Sequence, residues 1–194
     1  GKFVQKPDIG DVSQSKHGNA IHLVECDFNL DTRAGKNGFY DILIYKMAPN
    51  INCVTEDFIQ NHHYRKPEKI EFLHSMLDSK LGLFEITGVN PAEGYVNFKE
   101  VFTGIEYKII DVGLSGDRNY DKLYIYTRII TYHDISFGTG LNFVFTKTDS
   151  FINSHIQNHR KDYSPNGEFL RFTQLYNHYL KYPDKIKLVA NVLK

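Results

Sequence analysis

Residues 81–147 constrain the fold of this 194-residue chain most, because they carry the pattern of five or six consecutive β-strands. Successive side chains of a strand point to opposite faces, so alternating apolar and polar residues predict a half-buried sheet. The longest predicted strand is Leu123–Tyr132, whose two faces carry Leu123, Ile125, Thr127 and Ile129, and Tyr124, Tyr126, Arg128 and Ile130. Short strands joined by glycine-containing turns predict antiparallel pairing in a small barrel or a strongly bent sheet.

The segments at the amino end are of mixed character. Residues 1–19 lack periodicity and are predicted to be a mobile lead-in. Ala20–Phe28 alternates and is predicted to be a strand, whereas Asp31–Gly38 has the composition of a polar loop. Phe39–Met47 is dense in apolar residues, and its period fits either a helix or a strand.

Two helices are predicted immediately before the strand block. Thr55 is suited to cap the first of them, which has acidic residues in its first turn and continues to about Tyr64. Pro67 suits the first position of the second helix, which is predicted to end near Lys80.

Residues 149–193 are predicted to form a helical segment after the strands. A helix start is indicated at Thr148–Ser150, and a wide apolar stripe over Phe169–Tyr182 indicates a second helix. Residues 20–194 are therefore predicted to be a single α+β domain, with a β core at 81–147 flanked by N-terminal and C-terminal helices.

Charge and cysteine content exclude several classes of protein. Lysine plus arginine and aspartate plus glutamate both total 23, and this zero net charge argues against a dedicated duplex-DNA binder. The two cysteines, Cys26 and Cys53, are too few for a disulfide framework and predict reduced thiols in a cytoplasmic protein. No apolar run approaches the ~20 residues that span a bilayer, so no membrane partner is expected. The frequent Asn, Lys, Ile and Tyr residues are typical of an AT-rich bacterial genome.

The spacing His155-x3-His159-x2-Asp162 is the most specific candidate for chemistry. On an α-helix these side chains lie within roughly 60° of one another, and two histidines four residues apart can share a metal ion. Ile156 stands where a metalloprotease HExxH pattern needs its glutamate, so that activity is excluded. The favoured interpretation is that both histidines make local hydrogen bonds and that the protein has no cofactor. In the alternative, His155, His159 and Asp162 hold a divalent metal such as zinc.

A second candidate site is the aromatic face of the longest strand, which carries Tyr124, Tyr126, Arg128 and Tyr132. Aromatic rings beside a guanidinium group on an exposed sheet face can stack on bases of single-stranded nucleic acid. The strand block lacks a basic field, however, and affinity for nucleic acid comes mainly from neutralising phosphates. Packing of this face against the C-terminal helices is therefore the favoured interpretation.

Five stretches between residues 70 and 182 carry a resemblance to known proteins: Leu77–Ile86, Phe102–Tyr107, Ile110-Asp111, Asp121–Tyr124 and Thr127–Ile130. Over this range the chain resembles a β-rich module of uncharacterised bacterial proteins that often carry a SEC-C metal-binding motif. The cysteine-rich SEC-C motif itself is absent, so no zinc site is carried over. The resemblance implies a cytosolic bacterial protein of undefined role, such as an adaptor.

Two functions follow as hypotheses. The first is a non-enzymatic binding or adaptor module that recognises a protein or nucleic-acid partner through the sheet or an adjacent groove. The second is a metal-dependent, hydrolase-like enzyme that uses His155, His159 and Asp162.

Overall fold

The computed structural model describes residue 28 and residues 30–45, 52–159 and 167–181. Its elements in chain order are α1 (Arg33–Ile44), α2 (Val54–Asn61), α3 (Pro67–Leu77), β1 (Lys80–Asn90), β2 (Tyr95–Glu100), β3 (Glu106–Ile110), α4 (Val112–Ser115), β4 (Leu123–Tyr132), β5 (Ile135–Thr146), α5 (Ser150–His159) and α6 (Glu168–Lys181). A short 3-10 turn, Tyr120–Lys122, leads into β4. Every helix in these described ranges is too short or too polar to cross a membrane.

The five strands close into a ring in the order β1-β2-β3-β5-β4. β1 pairs antiparallel with both β2 and β4, and the register of its pairing with β2 shifts between Ile86 and Gly88. β3 and β5 run parallel and pair through Ile109 with Ser136 and Ile110 with Phe137. The predicted α+β fold, with a small bent sheet between helices, is confirmed. The parallel contact departs from the predicted antiparallel pairing and makes the ring irregular.

Two apolar cores lie on opposite sides of the ring wall. The ring interior is filled by Phe84, Ile86, Val96, Phe98, Ile109, Ile125 and Ile129. The outer face of β1, β4 and β5 packs against α5 and α6 through Leu81, Leu83, Tyr126, Leu141, Phe143, Phe145, Ile152, Ile156, Phe172, Leu175 and Tyr176. Burial of apolar surface on both sides of the wall is the main stabilising term in such a fold.

Helix α1 includes residues that the sequence predicts to be a polar loop, so the prediction for Asp31–Gly38 is wrong. The Thr32 hydroxyl accepts a hydrogen bond from the Gly35 N–H at 3.0 Å and caps the helix. Gly38 lies inside the helix because aromatic rings approach it closely. A Cβ atom there would lie 3.2 Å from Phe28 and 3.3 Å from Tyr176. Tertiary packing thus outweighs the low helix propensity of glycine.

Helices α2 and α3 confirm the two helices predicted before the strands, with one correction. Cys53 rather than Thr55 is the N-cap of α2, and its N–H donates to the Glu56 carboxylate at 3.2 Å. The Thr55 hydroxyl instead donates to the Ile44 carbonyl at 2.7 Å, which ties α2 to α1. Pro67 is the first residue of α3, as predicted.

Some predictions lie outside the described residues. The lead-in at 1–19 is among them, as are nearly all of the predicted strand Ala20–Phe28 and the last residues of the predicted C-terminal segment.

Candidate functional site

Arg128 is the centre of a buried polar cluster between the ring and the helices. Its side chain is 1% exposed, and its Nε donates to both carboxylate oxygens of Asp41 on α1, at 2.9 and 3.1 Å. Its Nη1 donates to the Ser79 hydroxyl at 3.2 Å, and its Nη2 lies 3.9 Å from the Glu168 carboxylate on α6. The Tyr45 ring lies 5.0 Å from the guanidinium carbon. One guanidinium therefore connects α1, α6 and the start of β1 to strand β4.

The pKa shifts in this cluster arise mainly from burial. Burial raises the pKa of the Asp41 carboxyl, and the Arg128 guanidinium opposes that rise. Burial also raises the pKa of Glu168, again against the nearby arginines. The fully buried Tyr126 phenol has a pKa well above its ordinary value. Because the charged groups face one another and are shielded from water, this arrangement is suited to holding helices in place rather than to reacting with a substrate.

The four residues of the predicted aromatic site have different surroundings. Tyr126 and Arg128 are buried beneath the helices, so a nucleic-acid base cannot reach them in this conformation. Tyr124 is half-buried, with the Lys147 ammonium 5.4 Å from its ring centroid. Tyr132 packs edge-on against Phe72 of α3. The packing interpretation thus accounts for the centre of this face, and the four side chains do not form one open surface.

The two histidines of the predicted metal site are close neighbours on α5. The His155 and His159 rings lie 4.4 Å apart, centroid to centroid. His155 is 4% exposed, and its Nε2 has no hydrogen-bond partner in the structure. Burial, together with the neighbouring His159 and Arg171, lowers the pKa of His155 to about 4, which keeps its ring neutral at pH 7. A neutral imidazole is the form that binds a metal.

The third predicted ligand, Asp162, lies outside the described residues. Among the residues that the structure does describe, no three His, Cys, Asp or Glu side chains converge into a metal site. Two imidazoles alone are fewer ligands than the three or four that hold zinc in most proteins.

Asp149 and His178 form a pair that sequence reasoning did not single out. Asp149 Oδ2 and His178 Nε2 are 2.9 Å apart, and Asp149 Oδ1 accepts from the Phe151 N–H at 2.9 Å. The Phe151 ring stacks on His178 at 4.1 Å. The pair therefore joins the start of α5 to the end of α6. The sequence indicates that Asp149 lies at the start of a helix. It does not indicate that Asp149 pairs with His178, which is 29 residues later in the chain.

A group of exposed aliphatic side chains lies on the part of the ring that α5 and α6 leave uncovered. Val112 is 76% exposed, Ile135 50% and Ile110 39%. Ile110 sits between Tyr95 of β2 and Phe137 of β5 in the strand register. Ile135 lies on the same face as Phe137, two residues away, and Val112 lies beside Gly94, which precedes Tyr95. We refer to Ile110, Val112 and Ile135 with the half-buried Tyr95 and Phe137 as the aliphatic strip.

The aliphatic strip lies between two turns of the ring. The β1–β2 turn leads directly into Tyr95, and the β4–β5 turn, His133-Asp134, leads directly into Ile135. Phe72 of α3 stacks on Phe137 at 6.4 Å and bounds the strip on that side. Val112 opens α4 and the other strip residues lie on β2, β3 and β5. The sequence does not show which part of the outer face the described helices leave open.

The fold and its surfaces define an α+β protein built on an irregular five-stranded ring, with helices packed against it and an aliphatic strip that α5 and α6 do not cover. The chain belongs to a family of unknown function, DUF7986, which matches residues 13–188. No curated protein and no solved structure matches it. The resemblance to SEC-C-associated proteins stays a prediction.

Proposed function

We propose that this protein is a non-enzymatic binding module that docks a partner protein on the aliphatic strip. The observation that carries the proposal is the placement of Ile110, Val112 and Ile135 on one part of the ring, through the pairing of Ile110 with Tyr95 and Phe137. All three are branched aliphatic side chains that are more than one-third exposed. Single exposed apolar residues are ordinary on protein surfaces. A contiguous group with polar residues around it is typical of a protein-interaction site, because covering it removes apolar surface from water.

The position of the strip on the ring supports the same proposal. The connectivity of the five strands, with short helix α4 between β3 and β4, is similar to that of OB-type Greek-key barrels. Those barrels bind ligands on the face of strands 2 and 3, between the turns that join strands 1–2 and 4–5. The aliphatic strip occupies the corresponding place. The comparison with OB-type barrels concerns the fold alone, so the kind of ligand has to be inferred from the residues of the strip.

The chemistry of the strip favours a protein over a nucleic acid. Bases are bound by aromatic stacking and by cations placed along the phosphates. The strip offers aliphatic side chains, and Tyr95 is already covered by the Lys108 ammonium at 3.9 Å from its ring centroid. A partner that inserts apolar side chains matches this surface better than an unpaired strand does.

We also propose that the protein is bacterial and works in a reducing cytoplasm. Cys53 is a free, buried thiol, as expected where disulfides do not persist. The lysine- and asparagine-rich composition is the basis for the bacterial assignment.

Site-specific photo-crosslinking tests the proposed function in cells that express the protein. A benzoyl-phenylalanine probe replaces Ile135 in one variant and Leu170 in another. Leu170 is 54% exposed on α6, so it matches Ile135 in accessibility but lies outside the strip. We expect the probe at 135 to capture a discrete protein that the probe at 170 does not, and Ile110→Ser in the same chain to abolish that capture. Identical products from both positions would reject the strip as the binding surface.

A metal-dependent, hydrolase-like enzyme is the second candidate function. The observation in its favour is the pair of adjacent imidazoles, His155 and His159, with an unpartnered buried nitrogen on His155. Such a site would take a borderline divalent metal such as zinc, with the remaining ligands supplied by water, by Asp162 or by another group.

Metal analysis of untagged protein separates the two candidates. Stoichiometric zinc, manganese or iron that is lost in His155→Ala but kept in His63→Ala would favour the enzyme. A folded, metal-free protein would reject it. His63 is the matched control because it is an exposed histidine outside any helix.

A further inference from the structure

We infer that the segment docked on the aliphatic strip is basic as well as apolar, with lysine or arginine residues flanking its aliphatic side chains. This inference rests on the proposed function and adds the charge of the partner to it. It comes from the ionisable groups that surround the strip, which are unevenly divided between the two signs.

Carboxylates predominate at the rim of the strip. Glu93 lies in the β1–β2 turn and Asp134 in the β4–β5 turn, and both are exposed. Glu71 reaches the second turn from α3, where its carboxylate lies 3.8 Å from His133. Asp111 follows Ile110, but its carboxylate accepts from the Leu114 N–H at 2.9 Å and caps α4, so it does not contribute to the rim. Three acids therefore border the strip, two in the turns and one on α3.

The positive charge at the rim is smaller. Lys108 lies on the same strand face as Ile110, and its ammonium is 3.9 Å from the Glu93 carboxylate. His133 is the other basic group, and its ring faces Glu71. Three carboxylates thus face one lysine and one histidine, which gives this end of a neutral chain a negative field. A negative field speeds encounter with a basic partner and disfavours the phosphates of a nucleic acid.

The test compares two fluorescein-labelled peptides, Lys-Ile-Lys-Val-Lys-Ile-Lys and Glu-Ile-Glu-Val-Glu-Ile-Glu, by fluorescence anisotropy with the full chain. They share their apolar residues and differ only in charge. We expect the basic peptide to bind about tenfold more tightly at low salt, and the preference to shrink at roughly 1 M salt, where charges are screened beyond about 3 Å. Ile135→Ser should weaken the binding of both peptides, whereas Leu170→Ser should leave the binding of both unchanged.

Reversing the charge of the rim acids tests whether they cause the preference for the basic peptide. We expect the double variant Glu93→Lys, Asp134→Lys to lose the preference for the basic peptide. The double variant Asp57→Lys, Asp121→Lys changes the net charge equally but alters exposed acids on α2 and on the turn before β4, so it should keep the preference.

Equal binding of the two peptides, or a preference that survives reversal at Glu93 and Asp134, would overturn the inference. Tighter binding of a labelled oligothymidine than of the basic peptide would overturn it as well. None of these results bears on crosslinking at position 135, so a failure of the charge argument is distinguishable from a failure of the proposed function.

Discussion

At the scale of single residues, Asp41 and Arg128 show how much depends on one buried ion pair. Asp41 is 87 positions away from Arg128 in the sequence, and both of its carboxylate oxygens accept hydrogen bonds from the Arg128 Nε. Removing one partner of a buried pair leaves an uncompensated charge in a region without water. The sequence places Arg128 on an aromatic strand face, but it contains no signal that an aspartate from a distant helix will neutralise it.

We expect Asp41→Ala to lower the free energy of unfolding by about 3–5 kcal/mol, as is usual when one half of a buried pair is deleted. Urea denaturation followed by circular dichroism measures this change. Asp57→Ala, at an exposed acid on α2, is the control and should cost less than about 1 kcal/mol. A loss below 1 kcal/mol for Asp41→Ala would show that the pair does not hold α1 in place.

His155 is expected to make stability depend on pH. Its pKa is about 4 in the folded chain and 6.5 in its ordinary environment, so the unfolded chain binds more protons between these values. The resulting stabilisation is fully present above pH 6.5 and is lost as the pH falls towards 4, with a total of about 3 kcal/mol.

We predict that His155→Leu loses less stability than the wild type between pH 7 and pH 4.5, because it has no proton to take up on unfolding. Urea titrations at a series of pH values give the slopes. His63→Leu, at an exposed histidine outside the helices, is the control for removing a histidine. Equal slopes for His155→Leu and the wild type would contradict a buried, neutral His155.

At the scale of secondary structure, prediction succeeded where local signals agree with packing. Pro67 opens α3 and Leu123–Tyr132 forms β4, as their patterns predict. The prediction for Asp31–Gly38 failed because Gly38 is required by close packing and not by a turn. The aromatic rings that pack against it come mostly from distant parts of the chain, so the local sequence does not reveal them. The parallel β3–β5 contact was missed for the same reason, since it depends on how the ring closes.

We expect Gly38→Val to destabilise the protein by about 1–3 kcal/mol, since its side chain would overlap the rings of Phe28, Phe172 and Tyr176. Thermal unfolding measures the effect. Gly116→Ala is the control, because a Cβ there would meet no atom closer than 3.8 Å and the backbone is already in the right-handed helical region. A Gly38→Val protein as stable as the wild type would show that α1 does not pack closely on α6.

At the scale of the whole molecule, the helices within the described ranges divide the outer face of the ring into a part that they cover and a part that they leave open. The covered part holds Tyr126 and Arg128, which the sequence offered as a binding face. The uncovered part holds Ile110, Val112 and Ile135, which had no distinguishing motif. The alternation of a strand reveals that it has two faces, but the assignment of helices to those faces is a tertiary property. The metal site remains a prediction, because one of its three residues lies outside the described ranges.

Hydrogen–deuterium exchange on the complex with the protein captured from position 135 shows which surface the partner covers. We predict slower exchange over residues 106–112 and 132–137 when the partner is bound, because docking on the aliphatic strip shields these strand ends from water. Exchange over α5 and α6 should stay as it is in the free protein. Slower exchange confined to residues 150–181, with the strip unchanged, would contradict docking on the aliphatic strip and place the binding surface on the helices.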